Sequence, residues 1–498
     1  MRNTSDQNDA DRHPRVPELK AAYRSGRITR RQFLRAATLL GVPLLTARRL
    51  SALEDADFHS EKRVELSPSA DTPYRGGTLR VATRVLDTEH PAEMSEIGQA
   101  NLIRQIAEHL THTGPDNITI PHLLESWSAN EELTVWTLNL RHGVTFNNGD
   151  VFGADDVIFS LNEWLATGSM TGLLSYLDPT NVEWVNEFTV RLHLSRPELA
   201  VPEHLNNYPA VVLNHRTFEG DFKAAPHGTG PFTLDTFTPG ALALLKRRDG
   251  YWATGSDEHP LPYLDEVRFI DLGEDMEDWH AAIQAGEVDV LDPCCTTNLE
   301  SFTTLNGLPN VDVVGIPTAR TRVLRMRVDV PPWDDNRVRH ALRLCQDRAK
   351  ILNVAYFGEG VQGHDCHVAP VHPAYCQKAV PAYDPTQASQ LLTDAGYESG
   401  IDVTLTVGDW PDVVAYAQTL AADAVAGGFN VTVEVVSQSQ YWEHWTDRAL
   451  GITPWTSRPL GTMVLELAYT VDEHGQPVAW NETRWVDEDF STLLAQAL

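Results

Sequence analysis

The densest set of groups that could do chemistry is His364, Asp365, His367 and His372, with Cys366 and Cys376 beside them. Imidazole, carboxylate and thiolate are zinc ligands, and a zinc-bound water is a hydrolytic nucleophile. The H-D-C-H…H spacing is irregular, however, and lies among prolines rather than on one helical face. A structured surface loop is the default reading; a metal-dependent hydrolase on His364, Asp365, His367 and His372 is the alternative from another class. The chain contains neither the serine-nucleophile motif G-x-S-x-G nor the zinc-protease motif H-E-x-x-H. Gly228-Thr229-Gly230-Pro231 is followed by no Lys-Ser/Thr, and Pro231 removes a donor, so it reads as a turn before a strand over Phe232–Phe237. Two tryptophans carry more. Trp410 ends a predicted strand before Pro411 and a helix start, and Trp455 sits in the loop Thr453-Pro454-Trp455-Thr456-Ser457-Arg458-Pro459-Leu460. Ligands of α/β units gather beyond the carboxyl ends of strands, where flat side chains can form a binding floor. Core packing is the equal alternative for both.

The elements that must position these residues follow from periodicity. The first part of the chain mixes strands with a few helices. Trp136, Leu138 and Leu140 alternate within Thr134–Leu140, and Phe188, Val190, Leu192 and Leu194 alternate within Glu187–Leu194. Ala241–Arg247 is a further short strand, and Asn101–Leu110 carries helical spacing. The second part has another rhythm. Asp334 or Asp335 caps a helix with Val338, Ala341, Leu342, Cys345, Ala349 and Leu352 on one stripe. Asp384-Pro385 opens another helix, which Gly396 ends. A strand over Ile401–Val407, a helix over Val413–Val425 and a strand over Val431–Val436 form a right-handed crossover unit, so this part is α/β.

Length and charge bound the rest. With 498 residues the chain exceeds one core, and 42% hydrophobic and 22% charged residues are ordinary for a globular protein. Against 69 acidic residues stand 39 basic ones, only six of them Lys, for a formal net charge of -30. Such a balance excludes nucleic acid and adhesion to an anionic membrane as partners. Residues 1–28 are polar and read as a disordered leader. Thr29-Arg30-Arg31-Gln32-Phe33-Leu34-Arg35 then leads into an apolar stretch from Ala36 to Ala47, which resembles a twin-arginine export signal; an amphipathic N-terminal helix with a chance Arg pair is the alternative. That stretch would span ~18 Å as a helix, short of the ~30 Å hydrocarbon core. Residues 1–50 are thus assigned to signal and leader, 51–75 to a linker, and the location to the periplasm, with a membrane-tethered form if the signal is retained. Of the five cysteines, Cys345 reads as a buried thiol, Cys366 and Cys376 can pair across a short loop, and the state of Cys294 and Cys295 is open. Closing the Cys366–Cys376 loop would add roughly 3 kcal/mol on the chain-entropy account.

The stretch Leu123 to Asp156, LLESWSANEELTVWTLNLRHGVTFNNGDVFGADD, resembles the signature of the family 5 extracellular solute-binding proteins of ABC transporters, the dipeptide/oligopeptide/nickel group. Trp127, Leu140-Arg141-His142-Gly143-Val144, Phe146, Gly149, Ala154 and Asp156-Val157 carry the match. Gly76-Gly77-Thr78-Leu79, Gly228-Thr229-Gly230-Pro231-Phe232, Pro332-Trp333-Asp334-Asp335 and Asp384-Pro385 to Ala395-Gly396-Tyr397 extend it in order over about residues 76–498. The resemblance implies a two-lobed α/β, periplasmic-binding-protein-like fold (type II, cluster C) with an interlobe ligand cleft, a first lobe over 76–290 and a second over 291–498. It implies a monomeric carrier, not an enzyme, with neither metal nor cofactor. Such a carrier would close on a peptide-like or other polar organic solute and deliver it to ABC permease subunits; nickel or a metal chelate is the alternative within the family. Peptide-binding relatives carry an Asp in the loop after the tryptophan at the Trp455 position. Here that loop reads Thr456-Ser457-Arg458-Pro459, so a carboxylate rather than an ammonium is the expected guest. Trp410, Trp455, Thr456, Arg458 and Arg322 are therefore the expected ligand residues of the second lobe. Arg325 is expected to add to a positive pocket, and Glu89 and His90 are expected from the first lobe by position. Family members continue back into the first lobe beyond the point where this chain stops, so a strand of that lobe is expected to be missing.

Overall fold

In the computed structural model, the described residues are 13–54, 73–94, 97–166, 170–292, 299–372, 374–458, 460–471, 475–478 and 480–497. The chain divides into two compact units, Met1–Asp312 and Val313–Leu498. The division falls later than the 290/291 boundary read from sequence. Val290–Leu291 pairs with the first strand, and the helix Leu299–Leu305 packs on the helix Met276–Ala285, which keeps this stretch with the first unit.

The first unit contains strands β1 (Thr78–Ala82), β2 (Thr111–Thr113), β3 (Thr119–Pro121), β4 (Leu124–Ala129), β5 (Val135–Leu140), β6 (Leu177–Asn186), β7 (Thr189–Leu194), β8 (Phe232–Thr238), β9 (Leu242–Arg247), β10 (Glu266–Ile270) and β11 (Val290–Leu291). One sheet has the order β11-β1-β10-β9-β8, with β1 parallel to both neighbours; another, antiparallel, has the order β4-β5-β7-β6. The alternation read in β5 and β7 is that of the second sheet, whose inward side buries Trp136, Leu138, Val190 and Leu192. The expected disordered leader is corrected in part. Val16–Arg24, Arg30–Leu39 and Leu44–Glu54 are helices, and Val16, Phe33, Leu34, Ala37 and Leu40 share the core of this sheet. Residues 1–12 and 55–72 lie outside the described residues.

The Gly228–Pro231 stretch is the plain turn that its sequence indicates. Its glycines let two backbones touch. A Cβ on Gly228 would fall 2.0 Å from the Ile106 carbonyl oxygen, and one on Gly230 2.6 Å from that of Gln105. Gly230 N–H donates to Ile106 O at 2.8 Å, and the buried Arg248 guanidinium donates to Thr145 O at 2.9 Å and to Phe146 O at 3.2 Å.

In the second unit β12 (Thr321–Met326), β13 (Ile401–Gly408), β14 (Phe429–Val436) and β15 (Leu450–Trp455) form one sheet in the order β12-β15-β13-β14. β13 and β14 are parallel through the helix Pro411–Ala424, as the crossover reading requires. The stripe that ran from Val338 to Leu352 is two helices. Asn336–Leu344 starts on the Asp335 cap, and Arg348–Tyr356 on a second cap, Asp347. Cys345 lies at the break, wholly buried, its thiol pushed up to about 12 by burial. Because β15 also runs parallel to β13, the carboxyl ends of β13, β14 and β15 share one edge.

Gly228→Ala is expected to lower the stability of the first unit by on the order of 2–4 kcal/mol, since neither backbone segment can retreat from a 2.0 Å contact. Urea denaturation would measure it; a loss within 0.5 kcal/mol would mean that the segments separate at little cost.

Candidate functional site

The shared edge of the second-unit sheet gathers the predicted aromatics, and the strand register decides what lies beside them. β12 and β15 pair Thr321 with Trp455, Val323 with Thr453 and Arg325 with Gly451. Directly opposed residues of an antiparallel pair share a face. One face of the ribbon therefore carries Trp455, Thr453 and Arg325. The other carries Arg322, Leu324 and Ile452, turned toward the aliphatic core. Arg322 and Arg325, three positions apart on one strand, point to opposite faces. The expectation that both add to one positive pocket is corrected on that ground.

Each arginine has its own carboxylate. Arg325 is buried, with Nε 3.2 Å from Glu482 Oε2 and both side chains fully excluded from solvent. Its remaining nitrogens donate to the carbonyls of Arg448 and Trp445. Gly451 makes room for it, since a Cβ there would lie 2.9 Å from Arg325 Nη2. Glu482 also accepts the indole N–H of Trp455 at 2.8 Å and the hydroxyl of Thr453, which lies 2.9 Å from Tyr441 Oη. Burial pushes the Glu482 carboxyl up, while Arg325 and the hydrogen bonds pull it down. On the opposite face Arg322 Nε donates to Asp412 Oδ2 at 2.6 Å, and Tyr356 Oη donates to the same oxygen at 2.6 Å.

Around this polar centre runs a chain of edge-to-face aromatic rings. Trp410 meets Trp442 at 5.6 Å, Trp442 meets Trp445 at 5.5 Å, and Trp445 meets Trp455 at 5.9 Å and Trp480 at 6.2 Å. Trp410 folds back over Gly408, where a Cβ would strike its ring at 2.2 Å. Trp410 is half-buried; Trp455, at 5% exposure, is a core residue of this layer, whereas Trp442 and Trp480 are more than two-fifths exposed. Thr456 is exposed beyond Trp455 and accepts from Arg458 Nη1 at 2.7 Å. Arg458 is half-buried and forms no ion pair among the described residues. Its carbonyl oxygen lies 2.9 Å from His372 Nε2, so the histidine loop holds the loop that carries Arg458.

The hydrolase constellation does not assemble. His372 is tied to Arg458, and His367 lies 3.1 Å from Thr321 Oγ1 and 3.0 Å from Tyr469 Oη. Asp365 pairs with Arg343 and with Arg348, and His364 packs on Tyr375. Among the described residues these side chains form no group fit for a metal ion. Burial lowers His367 to about 4. Cys366 and Cys376, whose spacing would allow them to pair, are free and exposed; Cys294 and Cys295 lie outside the described residues.

In the first unit Glu89 is exposed, with Lys223 Nζ 3.5 Å away, and His90 Nε2 lies 2.9 Å from Glu163 Oε2. Sequence reasoning missed Glu482, Tyr441, Trp442, Trp445 and Trp480. The spacing Tyr441-Trp442-Trp445 on the short helix Gln438–His444 and its end was a usable signal. Glu482, in an irregular segment, gave none.

The profile of the bacterial extracellular solute-binding proteins, family 5 (middle) matches residues 119–460. The chain belongs to this family. The glutathione-binding protein GsiB of Escherichia coli K12 is 27% identical over 403 residues, which cover 76% of this chain and 74% of that protein. Among solved structures, HbpA2 from Haemophilus parasuis superposes with a TM-score of 0.70 at 22% identity, over 84% of this chain and 88% of the other. DppA from Helicobacter pylori, in complex with the peptide STSA, superposes with a TM-score of 0.61 at 21% identity, over 85% of this chain and 87% of the other. The fold is thus the type II periplasmic-binding-protein fold, and the family is one of extracytoplasmic solute carriers that serve ABC permeases. None of the described helices is long and apolar enough to cross a membrane.

Two outcomes follow from the buried groups. Glu482→Gln keeps the shape but strands the Arg325 guanidinium, and is expected to cost about 3 kcal/mol in denaturant unfolding followed by circular dichroism. His367 is neutral when folded, whereas an unfolded histidine takes up a proton near pH 6.5. Its contribution is therefore complete above about pH 6.5 and is lost as the pH falls through about 4, up to roughly 3 kcal/mol. Wild type and His367→Asn, unfolded in parallel between pH 7 and pH 4, are expected to differ in slope in that window; equal slopes would show that the imidazole is not held neutral.

Proposed function

We propose that this chain is the extracytoplasmic receptor of an ABC importer and captures a carboxylate-bearing, peptide-like solute for transfer to the permease subunits. The observation that carries the proposal is Arg458, a guanidinium outside any ion pair among the described residues, on the loop directly after Trp455. In a chain of net charge -30, such a group is a selective point of attraction for an anion. Thr456 adds a hydroxyl, Trp410 offers a half-buried ring as a wall, and Trp455 fixes the loop through Glu482. Arg322 is oriented by Asp412 and Tyr356 on the opposite face of the ribbon. Glu89 and His90 remain the residues proposed from the first unit. The relatives that bind glutathione and a peptide support this solute class. Passage through the twin-arginine route, on Arg30-Arg31, and a monomeric state complete the reading.

Glutathione, which carries two carboxylates, is the natural first probe in titration calorimetry. Arg458→Ala is expected to weaken its binding by tenfold or more, as loss of one charge-assisted contact implies. An unchanged Kd would remove Arg458 from the site.

A further inference from the structure

The twin-arginine stretch has a second property that an export address does not need. The helix Arg30–Leu39, which carries the arginine pair, packs as an amphipathic element: Phe33, Leu34, Ala37 and Leu39 are buried, while Arg31 is exposed and Arg35 half-buried. Its start is specified by a full capping box, with Thr29 accepting from Gln32 N–H and Gln32 accepting from Thr29 N–H. The first unit offers matching partners. Trp127, on β4, donates its indole N–H to Leu39 O at 2.8 Å. Arg35 reaches Glu203 through two parallel hydrogen bonds of 2.7 Å. His13 Nε2 lies 3.0 Å from Asn130 O, so the segment is also tied ahead of its first helix. At the exit, Gly41 has φ +87° and approaches β4 so closely that a Cβ would fall 2.5 Å from Trp127 O. Val42 and Ala47 then continue into the same core as Trp136 and Leu138.

We infer that residues 13–51 are a docked part of the first unit, seated in a groove on β4 and its surroundings, and stay there whether or not the chain is cut downstream. The occupant is the chain's own leader. The groove recognises it by shape at Gly41, by a bidentate ion pair at Glu203, and by burial of one helix face. In the docked state Arg30 Nε donates to Ser51 Oγ at 3.1 Å, and Arg35 is occupied by Glu203. Engagement of this stretch by an export receptor therefore requires its release, so docked and receptor-bound states exclude each other. The inference stands apart from the solute proposed above, since none of these residues belongs to the candidate site.

A recognition sequence for a specific protease, inserted between residues 60 and 61 of the full chain, tests it. After cleavage, residues 1–60 are expected to co-elute with the remainder in size-exclusion chromatography under native conditions. Gly41→Ala and Leu34→Asp are expected to release the fragment and to lower the melting temperature of the remainder by several degrees. Hydrogen exchange on the uncut wild type gives a reading free of any variant. The amides of residues 33–42 are expected to exchange at least a hundredfold more slowly than in the isolated peptide. Separation of the wild-type fragment on cutting, or exchange at the free-peptide rate, would overturn the inference.

Discussion

The interior of the second unit depends on one carboxylate. Glu482 arrives from an irregular segment and meets, in the buried interior, the guanidinium of Arg325, the indole of Trp455 and the hydroxyl of Thr453. Burying either charge alone is prohibitive; together they are tolerated because the two terminal guanidinium nitrogens donate to carbonyls and the carboxylate also accepts from Thr453 and Trp455. Such an arrangement adds little net stability over an apolar core, but it is directional. It fixes the turn of the Trp455 ring and, through it, the start of the loop that presents Thr456 and Arg458.

The geometry around that carboxylate is set by absences of side chain. Gly451 leaves space for Arg325, and Gly408 leaves space for the ring of Trp410. Both sit on strands whose carboxyl ends share an edge, so the parallel arrangement of β13 and β15 brings two distant tryptophans into one aromatic layer. The sheet thereby separates two kinds of interior: aliphatic beneath the helices Asn336–Leu344 and Pro411–Ala424, polar and aromatic on the side of Glu482.

Where sequence reasoning succeeded, the signal was local. The alternation in β5 and β7, the Asp-Pro start at 384–385, the crossover from β13 to β14 and the turn at Gly228 depend on a few neighbouring residues, and each is found in place. The family motifs extended this to the whole fold. What failed depended on pairing between distant segments. That Arg325 faces inward follows from its register against Gly451, more than a hundred residues away, and the burial of Trp455 follows from Glu482. The histidine cluster misled for the same reason: proximity along the chain placed four donors together, but tertiary contacts pull them to Arg458, Tyr469, Tyr375 and the two arginines that hold Asp365. A polar N-terminus suggested disorder because its helices owe their stability to the sheet they cover rather than to their own propensity.

The linked indoles of Trp410, Trp442, Trp445, Trp455 and Trp480 have a consequence in optics. Rings separated by 5.5–6.2 Å lie within reach of excitation transfer, which links each indole to the next along the set. The two exposed members act as antennae at the surface. A change in the surroundings of either one alters the glow of the whole set, and the protein carries its own luminescent gauge of what touches that edge.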